Sequence, residues 1–157
     1  MRLKGYDYTK PGKYYVTIVT KKHKHLFGHI EKGSMQLNES GLIVKQSWEW
    51  LENQYDYVDL DEFIVMPDHL HGIMILRKDR GVSRNTSAEI ATKRKSLGRL
   101  IGAFKTVSTK QLNQIHKTPG VKLWQRDFHD QVIRGSEDLD RIRRYIIDNP
   151  KKWNSDA

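Results

Sequence analysis

At 157 residues the chain has the length of one domain and is long enough to bury one hydrophobic core. It contains no cysteine, which excludes disulfides, thiolate metal ligands and cysteine nucleophiles, and its apolar runs are too short to span a membrane. The 28 basic and 19 acidic residues give a net charge of +9, which is typical of proteins that bind nucleic acid. The N-terminus shows no apolar leader, so we expect a cytoplasmic protein, associated in a bacterium with the nucleoid.

The first half of the chain predicts strands interrupted by one helix. The stretch YYVTIVT, at 14–20, is rich in β-branched and aromatic residues and predicts a strand. A hairpin with its turn at Gly33 follows, and Ser40 is a suitable N-cap for a helix that ends near Gln54. VDLDEFIVM and HLHGIMILR predict two further strands. Because only two residues separate them, we expect an antiparallel hairpin.

A basic stretch lies between Arg77 and Arg99. Serine, threonine, asparagine and glycine are interspersed in it, which predicts a mobile loop over about residues 78–95. The loop is either a solvated linker or an arm that closes on a phosphate backbone. Its basic residues are Arg77, Lys78, Arg80, Arg84, Lys93, Arg94, Lys95 and Arg99.

The second half of the chain predicts two helices separated by a short segment. SLGRLIGAFKTVSTKQLNQI has amphipathic helical spacing, and LWQRDFHDQVIRG is compatible with a short strand that ends at Arg134. SEDLDRIRRYIIDN predicts a helix with Ser136 as its N-cap and Pro150 as its end. The order of elements predicts one α+β domain over 1–157. We expect a ferredoxin-like sandwich with a central antiparallel sheet, helices on one face and a C-terminal helix.

Two histidines, His69 and His71, lie in the second strand of the predicted hairpin with Leu70 between them. In a strand, residues two apart point to the same face, so the two imidazoles project side by side. Neutral imidazole is the commonest metal ligand among protein side chains, and two on one face can hold one ion. A pair of hydrogen-bonded structural histidines is the alternative. The H-x-H pattern alone also fits a zinc hydrolase or a cupin.

Tyr145 lies in the predicted C-terminal helix. The apolar stripe of that helix consists of Leu139, Ile142 and Ile146. Tyr145 lies one step beside this stripe, and a phenol becomes a nucleophile when a positive charge or a metal favours its ionised form. Arg141 and Arg144 can supply such charge to a phenolate or to a phosphate. The alternative is a tyrosine that packs its ring and leaves its hydroxyl in water.

Four stretches of the sequence carry a resemblance to a known family. VMPDHLHGIMIL, SLGRLIGAFKTVSTKQLN, LWQRDFHDQVIR and EDLDRIRRYIIDNPKKW occur in the family's order and cover most of the chain from Val58 to Trp153. In these stretches the chain resembles the REP-associated tyrosine transposases, a branch of the single-tyrosine transposases within the HUH endonucleases. It departs from them at Gln131, where many members carry histidine, and at Asp68, which is often asparagine.

The resemblance implies a transposase that cleaves and rejoins single-stranded DNA beside hairpins. Tyr145 would attack the scissile phosphorus, giving a 5′-phosphotyrosine and a free 3′-hydroxyl. His69 and His71 would hold a divalent ion, Mg²⁺ or Mn²⁺, although imidazole ligands by themselves favour zinc or another transition metal. Asn149, one helical turn after Tyr145, is predicted as the third ligand. Its alternative role is to end the helix before Pro150.

The implied partner is single-stranded DNA with REP-like hairpins, bound by a monomer that uses its own tyrosine, with a dimer as the alternative. The residues predicted to contact this DNA are Arg77, Lys93, Arg94, Lys95, Lys105, Arg126, Arg141 and Arg144. The aromatic residues that can stack on bases or pack in the core are Tyr6, Tyr8, Tyr14, Trp124 and Phe128. Two other functions remain open: a non-catalytic hairpin-binding module on the same fold, and a small metal hydrolase.

Overall fold

The structure is a computed structural model that describes residues 10–78 and 94–153. Most of the predicted basic loop, with Tyr6, Tyr8 and Lys93, lies outside the described residues. The strands are β1 (Gly12–Val19), β2 (Gly28–Glu31), β3 (Ser34–Leu37), β4 (Val58–Val65), β5 (His69–Leu76) and β6 (His129–Ile133). The α-helices are α1 (Glu39–Gln54), α2 (Leu97–His116) and α3 (Ser136–Lys152), and a 3-10 turn follows β1 at Lys21–His23.

Four strands form an antiparallel sheet in the order β4-β5-β1-β6. Without the β2–β3 hairpin, the chain order is β1-α1-β4-β5-α2-β6, which is the ferredoxin-like βαββαβ arrangement. The β2–β3 hairpin is inserted between β1 and α1 and forms its own two-stranded sheet. The predicted α+β, ferredoxin-like fold is therefore confirmed, including the antiparallel β4–β5 hairpin.

Helices α1 and α2 cover one face of the four-stranded sheet. Tyr14, Val16 and Ile18 alternate along β1 onto this face and are fully buried there. Trp48 of α1 lies against Gly72 of β5, where an added Cβ would come within 2.9 Å of the indole ring. Burying each large apolar side chain contributes about 1.5–3 kcal/mol, so this face holds most of the stabilising core.

Helix α3 covers the opposite face of the sheet. The predicted stripe of Leu139, Ile142 and Ile146 is buried there against Ile73 and Ile133. This second cluster is smaller than the core under α1 and α2. The helix that carries Tyr145 is therefore packed separately from the main core.

An ion pair also fastens α3 to the edge strand β4. Arg143 donates to both carboxylate oxygens of Asp61, at 2.8 and 2.7 Å. Asp61 lies in a bulge between Leu60 and Phe63, where the register of β4 against β5 shifts. The hydrogen bonds from Arg143 hold the pKa of Asp61 below its usual value.

In the structure, the N-caps of α1 and α3 are not the residues predicted from the sequence. Asn38, not Ser40, caps α1, because its side-chain oxygen accepts from the backbone N–H of Gly41 at 2.8 Å. Gly135, not Ser136, occupies the N-cap of α3 with a positive φ of 91°. Glycine adopts that backbone conformation without steric cost, so α3 begins one residue earlier than the Ser136 cap implies.

The prediction that Pro150 ends the last helix is wrong. Helix α3 continues through Pro150 to Lys152, with Trp153 as its C-cap. A proline lacks the N–H that would bond to the carbonyl of residue 146, but only two residues of the helix follow it here. The buried ring of Pro150 offsets part of that loss.

Three aromatic residues predicted as possible base-stacking groups are core residues. Tyr14, Trp124 and Phe128 are all buried, and Trp124 packs against Phe27 and Phe104. Their core-packing alternative is therefore the correct one. In the described part of the chain, no helix has the length and apolarity needed to cross a membrane.

Candidate active site

A cleft of about 350 Å³ opens on the α3 face of the sheet, at the end where β5 begins. Its lining consists of Thr17, Val19, His23, Asp68, His69, His71, Tyr145, Asn149 and Trp153. The fold thus brings together all four residues that the sequence predicted as nucleophile and metal ligands. Two of them come from β5 and two from α3.

The two imidazoles face one another through the same ring nitrogen. His69 Nε2 and His71 Nε2 are 2.9 Å apart. The Nδ1 of His69 lies 2.6 Å from Asp68 Oδ1. Because an ionised carboxylate only accepts hydrogen bonds, this Nδ1 carries the proton and donates it. The tautomer with its proton on Nδ1 presents the lone pair of Nε2 to His71.

The second imidazole is held from the neighbouring strand. His71 Nδ1 lies 2.8 Å from the hydroxyl of Tyr15 and 2.9 Å from the hydroxyl of Thr17, which faces it across the β1–β5 pair. His71 is 8% exposed, and burial, with a smaller effect from His69, lowers its pKa to about 3. His71 is therefore a neutral imidazole at neutral pH. Burial likewise raises the pKa of Tyr15 to about 12, so its hydroxyl keeps its proton.

The spacing of the two Nε2 atoms fits a shared divalent ion. Ligands at right angles, each about 2.1 Å from an ion, are about 3.0 Å apart, close to the 2.9 Å found here. Within residues 10–78 and 94–153, no three histidine, cysteine, aspartate or glutamate side chains form a metal-binding group. A third protein ligand in the described chain would therefore be of another type, and the amide of Asn149 is such a donor in the cleft.

Tyr145 lies beside His71 with its ring partly in solvent. The side chain is 46% exposed, and its ring centroid is 5.8 Å from that of His71 in an edge-to-face arrangement. Ile142 and Ile146 on either side of it in the sequence are buried, which fixes the direction in which the phenol points. An exposed phenol beside two imidazoles is accessible to a large substrate.

Asn149 lies one turn further along α3 and lines the same cleft as Tyr145. Because the helix continues to Lys152, Asn149 has a helical neighbour on each side and does not end the helix. The alternative prediction, that Asn149 ends the helix before Pro150, is therefore wrong. Asp148, the neighbouring acid, is not among the residues that line the cleft.

Three of the predicted DNA-contacting residues lie together at the other end of β5. Arg77 forms an ion pair with Asp59 at 2.8 Å, and Arg94 lies over the ring of Tyr57, with its guanidinium carbon 4.5 Å from the centroid. The backbone N–H of Lys95 donates to the hydroxyl of Tyr57. We call Arg77, Arg94 and Lys95 the far cluster, because β5 extends about 23 Å between its two ends at 3.3 Å per residue.

The remaining predicted DNA contacts differ in their surroundings. The ammonium of Lys105 donates to the carbonyls of residues 125, 126 and 127, at 2.9 to 3.2 Å, and holds the segment that leads into β6. Arg141 pairs with Asp138 on the exposed side of α3. Arg126 and Arg144 are also exposed. Arg141 and Arg144 precede Tyr145 on the same helix.

The sequence analysis missed the residues that hold the histidines. Tyr15 and Thr17 alternate along β1 with three fully buried core residues, so they share the opposite face with His71. The polar side chains at these alternating positions of β1 were the sequence signal from which their role could have been predicted. Asp68 was seen only as a departure from the family, yet it fixes the tautomer of His69.

Two solved structures share this fold. One is a REP-associated tyrosine transposase bound to a REP hairpin, with a TM-score of 0.63, 18% identity, and coverage of 97% of this chain and 74% of that chain. The other, from Deinococcus radiodurans R1, is described as a "putative transposase", with a TM-score of 0.54, 18% identity, and coverage of 96% and 97%. The fold of this chain is therefore the transposase fold that its sequence motifs resemble.

A protein of similar sequence shows the family to which the chain belongs. The chain is 35% identical over 163 residues to an uncharacterized protein of Haemophilus influenzae, covering 99% of this chain and 89% of that protein. The chain belongs to the same protein family as this relative. No family model matches the sequence.

Proposed function

We propose that the protein is a metal-dependent transposase that cleaves and rejoins single-stranded DNA beside hairpins through a 5′-phosphotyrosine at Tyr145. One observation carries the proposal: an exposed tyrosine lies edge-to-face with His71, in the same cleft as two imidazoles whose Nε2 atoms are 2.9 Å apart, all within one chain. The family resemblance assigns the same three residues these roles. The shared fold and the net charge of +9 agree with a DNA substrate.

The reaction is an exchange of one phosphodiester bond for another. Tyr145 Oη bonds to the phosphorus, the bond from phosphorus to the 3′-oxygen breaks, and the phenolic proton passes to solvent. The leaving strand takes up a proton at its 3′-hydroxyl. Because the new bond is also a phosphodiester, a DNA hydroxyl can attack it later and join the strands without an external energy source.

Three side chains would hold the divalent ion, either Mg²⁺ or Mn²⁺: His69, His71 and Asn149. When bound, the ion would neutralise charge on the phosphoryl oxygens and polarise the phosphorus. Asp68 and Thr17 orient the two imidazoles through their Nδ1 atoms. Burial keeps His71 neutral, and the tautomer with its proton on Nδ1, donated to the hydroxyl of Thr17, leaves the Nε2 lone pair for an ion at neutral pH.

Covalent capture tests the proposal. The protein is incubated with Mn²⁺ and labelled single strands that carry hairpins with unpaired flanks, and the products are separated on a denaturing gel. We expect a protein–DNA band that Tyr145→Phe abolishes and that Tyr57→Phe, beside the far cluster, retains. Tyr15→Phe tests the other tyrosine near His71. A band that is lost in Tyr15→Phe but kept in Tyr145→Phe would make Tyr15 the nucleophile.

The proposal fails if the wild type binds such strands but forms no covalent band with any of them. The protein would then be a non-catalytic hairpin-binding module on the same fold, which the exposed basic residues and the +9 charge also support.

We further propose that the site acts in cis, in a monomer, because Tyr145 contacts His71 of its own chain and shares one cleft with both histidines. Mixing Tyr145→Phe protein with His71→Ala protein tests this point. A cis site gives no capture from the mixture. A shared site in an exchanged dimer would restore part of it, and sedimentation at micromolar concentration would show the dimer directly.

A further inference from the structure

A second cavity, of about 370 Å³, lies on the other side of the turn that follows β1. Its apolar floor is formed by Leu26, Leu112 and Leu123, and its polar side includes the hydrogen-bonded pair of Ser40 and His116. Four lysines line it: Lys21, Lys22, Lys24 and Lys122. None of the described residues that line it is acidic. The cavity therefore combines an apolar surface with concentrated positive charge.

The turn that carries three of these lysines is built against the candidate active site. The backbone N–H of Thr20 donates to the carbonyl of Asp68, and its buried hydroxyl donates to the carbonyl of Lys24, both at 2.9 Å. The backbone N–H of Lys21 donates to Leu123 on the cavity side. The turn is thus fixed on one side to the residue that precedes His69 and on the other to the cavity wall.

Backbone strain in the same turn points to a function. Lys22 and His23 both have positive φ, at 60° and 52°, a conformation that costs non-glycine residues about 1–3 kcal/mol each. The side chain of Lys22 lines the lysine-rimmed cavity, whereas that of His23 lines the active-site cleft. Adjacent Cα atoms are about 3.8 Å apart, so the two openings are neighbours along the surface.

We propose that this lysine-rimmed cavity binds one unpaired nucleotide of the DNA strand whose neighbouring phosphate reaches Tyr145. The inference rests on the proposed function. A nucleotide matches the cavity because its base is a flat, largely apolar group and its flanking phosphates are anionic. The leucine floor takes the base, and the lysines of the turn and Lys122 take the phosphates. The volume lies within the range of ordinary small-ligand sites.

The test compares two double variants with equal loss of charge, all at exposed lysines. Lys22→Gln/Lys122→Gln removes charge from the cavity rim, and Lys32→Gln/Lys45→Gln removes it from positions that do not line the cavity. 2-Aminopurine is placed at each unpaired position beside the hairpin in turn. With Tyr145→Phe protein as the parent of both double variants, we expect the emission of 2-aminopurine to change strongly at one position. The rim variant should abolish that change, and the control variant should keep it.

Binding of the flanked strand gives a second readout. The rim variant should lower the slope of log affinity against log salt by about 1.4, because two phosphate contacts to a single strand are lost. The control variant should leave that slope unchanged. Binding of a hairpin without unpaired flanks should be the same for both variants. Equal effects of the two variants, or emission that responds at no position, would overturn the proposal.

These measurements use Tyr145→Phe protein without added metal, so they do not require cleavage. The emission could respond at one position although the wild-type protein never forms a covalent band. That result would support nucleotide binding in the cavity and reject the proposed function. Conversely, the rim variant could leave both covalent capture and the emission profile unchanged. That result would support the proposed function and reject nucleotide binding in the cavity.

Discussion

The two ends of strand β5 place polar side chains in opposite situations. At the His69 end, two ring nitrogens converge at 2.9 Å beside an exposed phenol. At the Leu76 end, Arg77 is paired with Asp59 and Arg94 lies on Tyr57, so both charges are already engaged within the protein. The difference shows that charged side chains can be concentrated where most of their charge is already paired within the protein. Polar atoms that face one another and remain open to a ligand are the better sign of a reaction centre.

The comparison predicts that the histidine end is needed for chemistry but not for affinity. His71→Ala should reduce covalent capture by about 10³-fold, because a metal site supplies several kcal/mol of charge stabilisation. The affinity for hairpin strands should stay nearly unchanged, since it comes mainly from phosphate contacts. Single-turnover capture and a binding titration on the same DNA measure the two effects, with the exposed His29→Ala as the control.

A His71→Ala protein that captures DNA at the wild-type rate in EDTA-treated buffer would remove the metal from the mechanism. The His69–His71 pair would then be structural, and the difference between the two ends of β5 would be one of packing alone.

The next expected effect is a loss of folding stability in acid that arises at the histidine end. The pKa of His71 is about 3 in the folded protein against 6.5 for an ordinary histidine, so below pH 6.5 the unfolded chain takes up a proton that the folded chain excludes. Stability therefore falls as the pH decreases through this range. Between pH 7 and pH 5, the metal-free wild type should lose about 2 kcal/mol more than His71→Gln.

Urea unfolding at the two pH values measures this loss. Equal acid sensitivity in the two proteins would mean that His71 takes up its proton without unfolding, and that its burial does not hold it neutral.

The far cluster should behave in the opposite way. Arg94→Gln/Lys95→Gln should weaken binding of hairpin strands by about tenfold and lower the salt slope by about 1.4, the loss expected for two phosphate contacts. Capture of DNA that is already bound should proceed at the wild-type rate, because these residues lie about 23 Å from His69. An unchanged salt slope, with a lower melting temperature, would show that the pair only fastens the chain around Tyr57.

Much of this arrangement could be predicted from local patterns. The period of two in β5 placed His69 and His71 on one face, and the helical period placed Tyr145 beside a buried stripe. Both patterns depend only on neighbours in the sequence. The ferredoxin-like order also followed, because short connections favour antiparallel neighbours.

The contacts between distant segments could not be predicted in the same way. Which residues of β1 face His71 depends on the register of β1 against β5, and Thr17 is 54 residues away in sequence. The ammonium of Lys105 is fixed by three carbonyls of a segment about 20 residues later, so its charge alone gave no hint that it holds a loop. Turn geometry at Lys22 and His23 likewise depends on tertiary contacts.

An effect of similar size, confined to the metal requirement, is expected for the third metal ligand at the histidine end. Asn149→Ala should raise the Mn²⁺ concentration for half-maximal capture by about tenfold, the lower end of the change seen when groups around a metal are removed. Asp148→Ala is the matched control, because Asp148 is the neighbouring donor on α3 but does not line the cleft. Mn²⁺ binding measured by electron paramagnetic resonance, without DNA, gives the same comparison independently of cleavage. Because Asn149 lies inside the helix, its loss should change the melting temperature little. A lower melting temperature with an unchanged Mn²⁺ requirement would mean that Asn149 supports α3, and that the ion takes its third ligand from the substrate or from another residue.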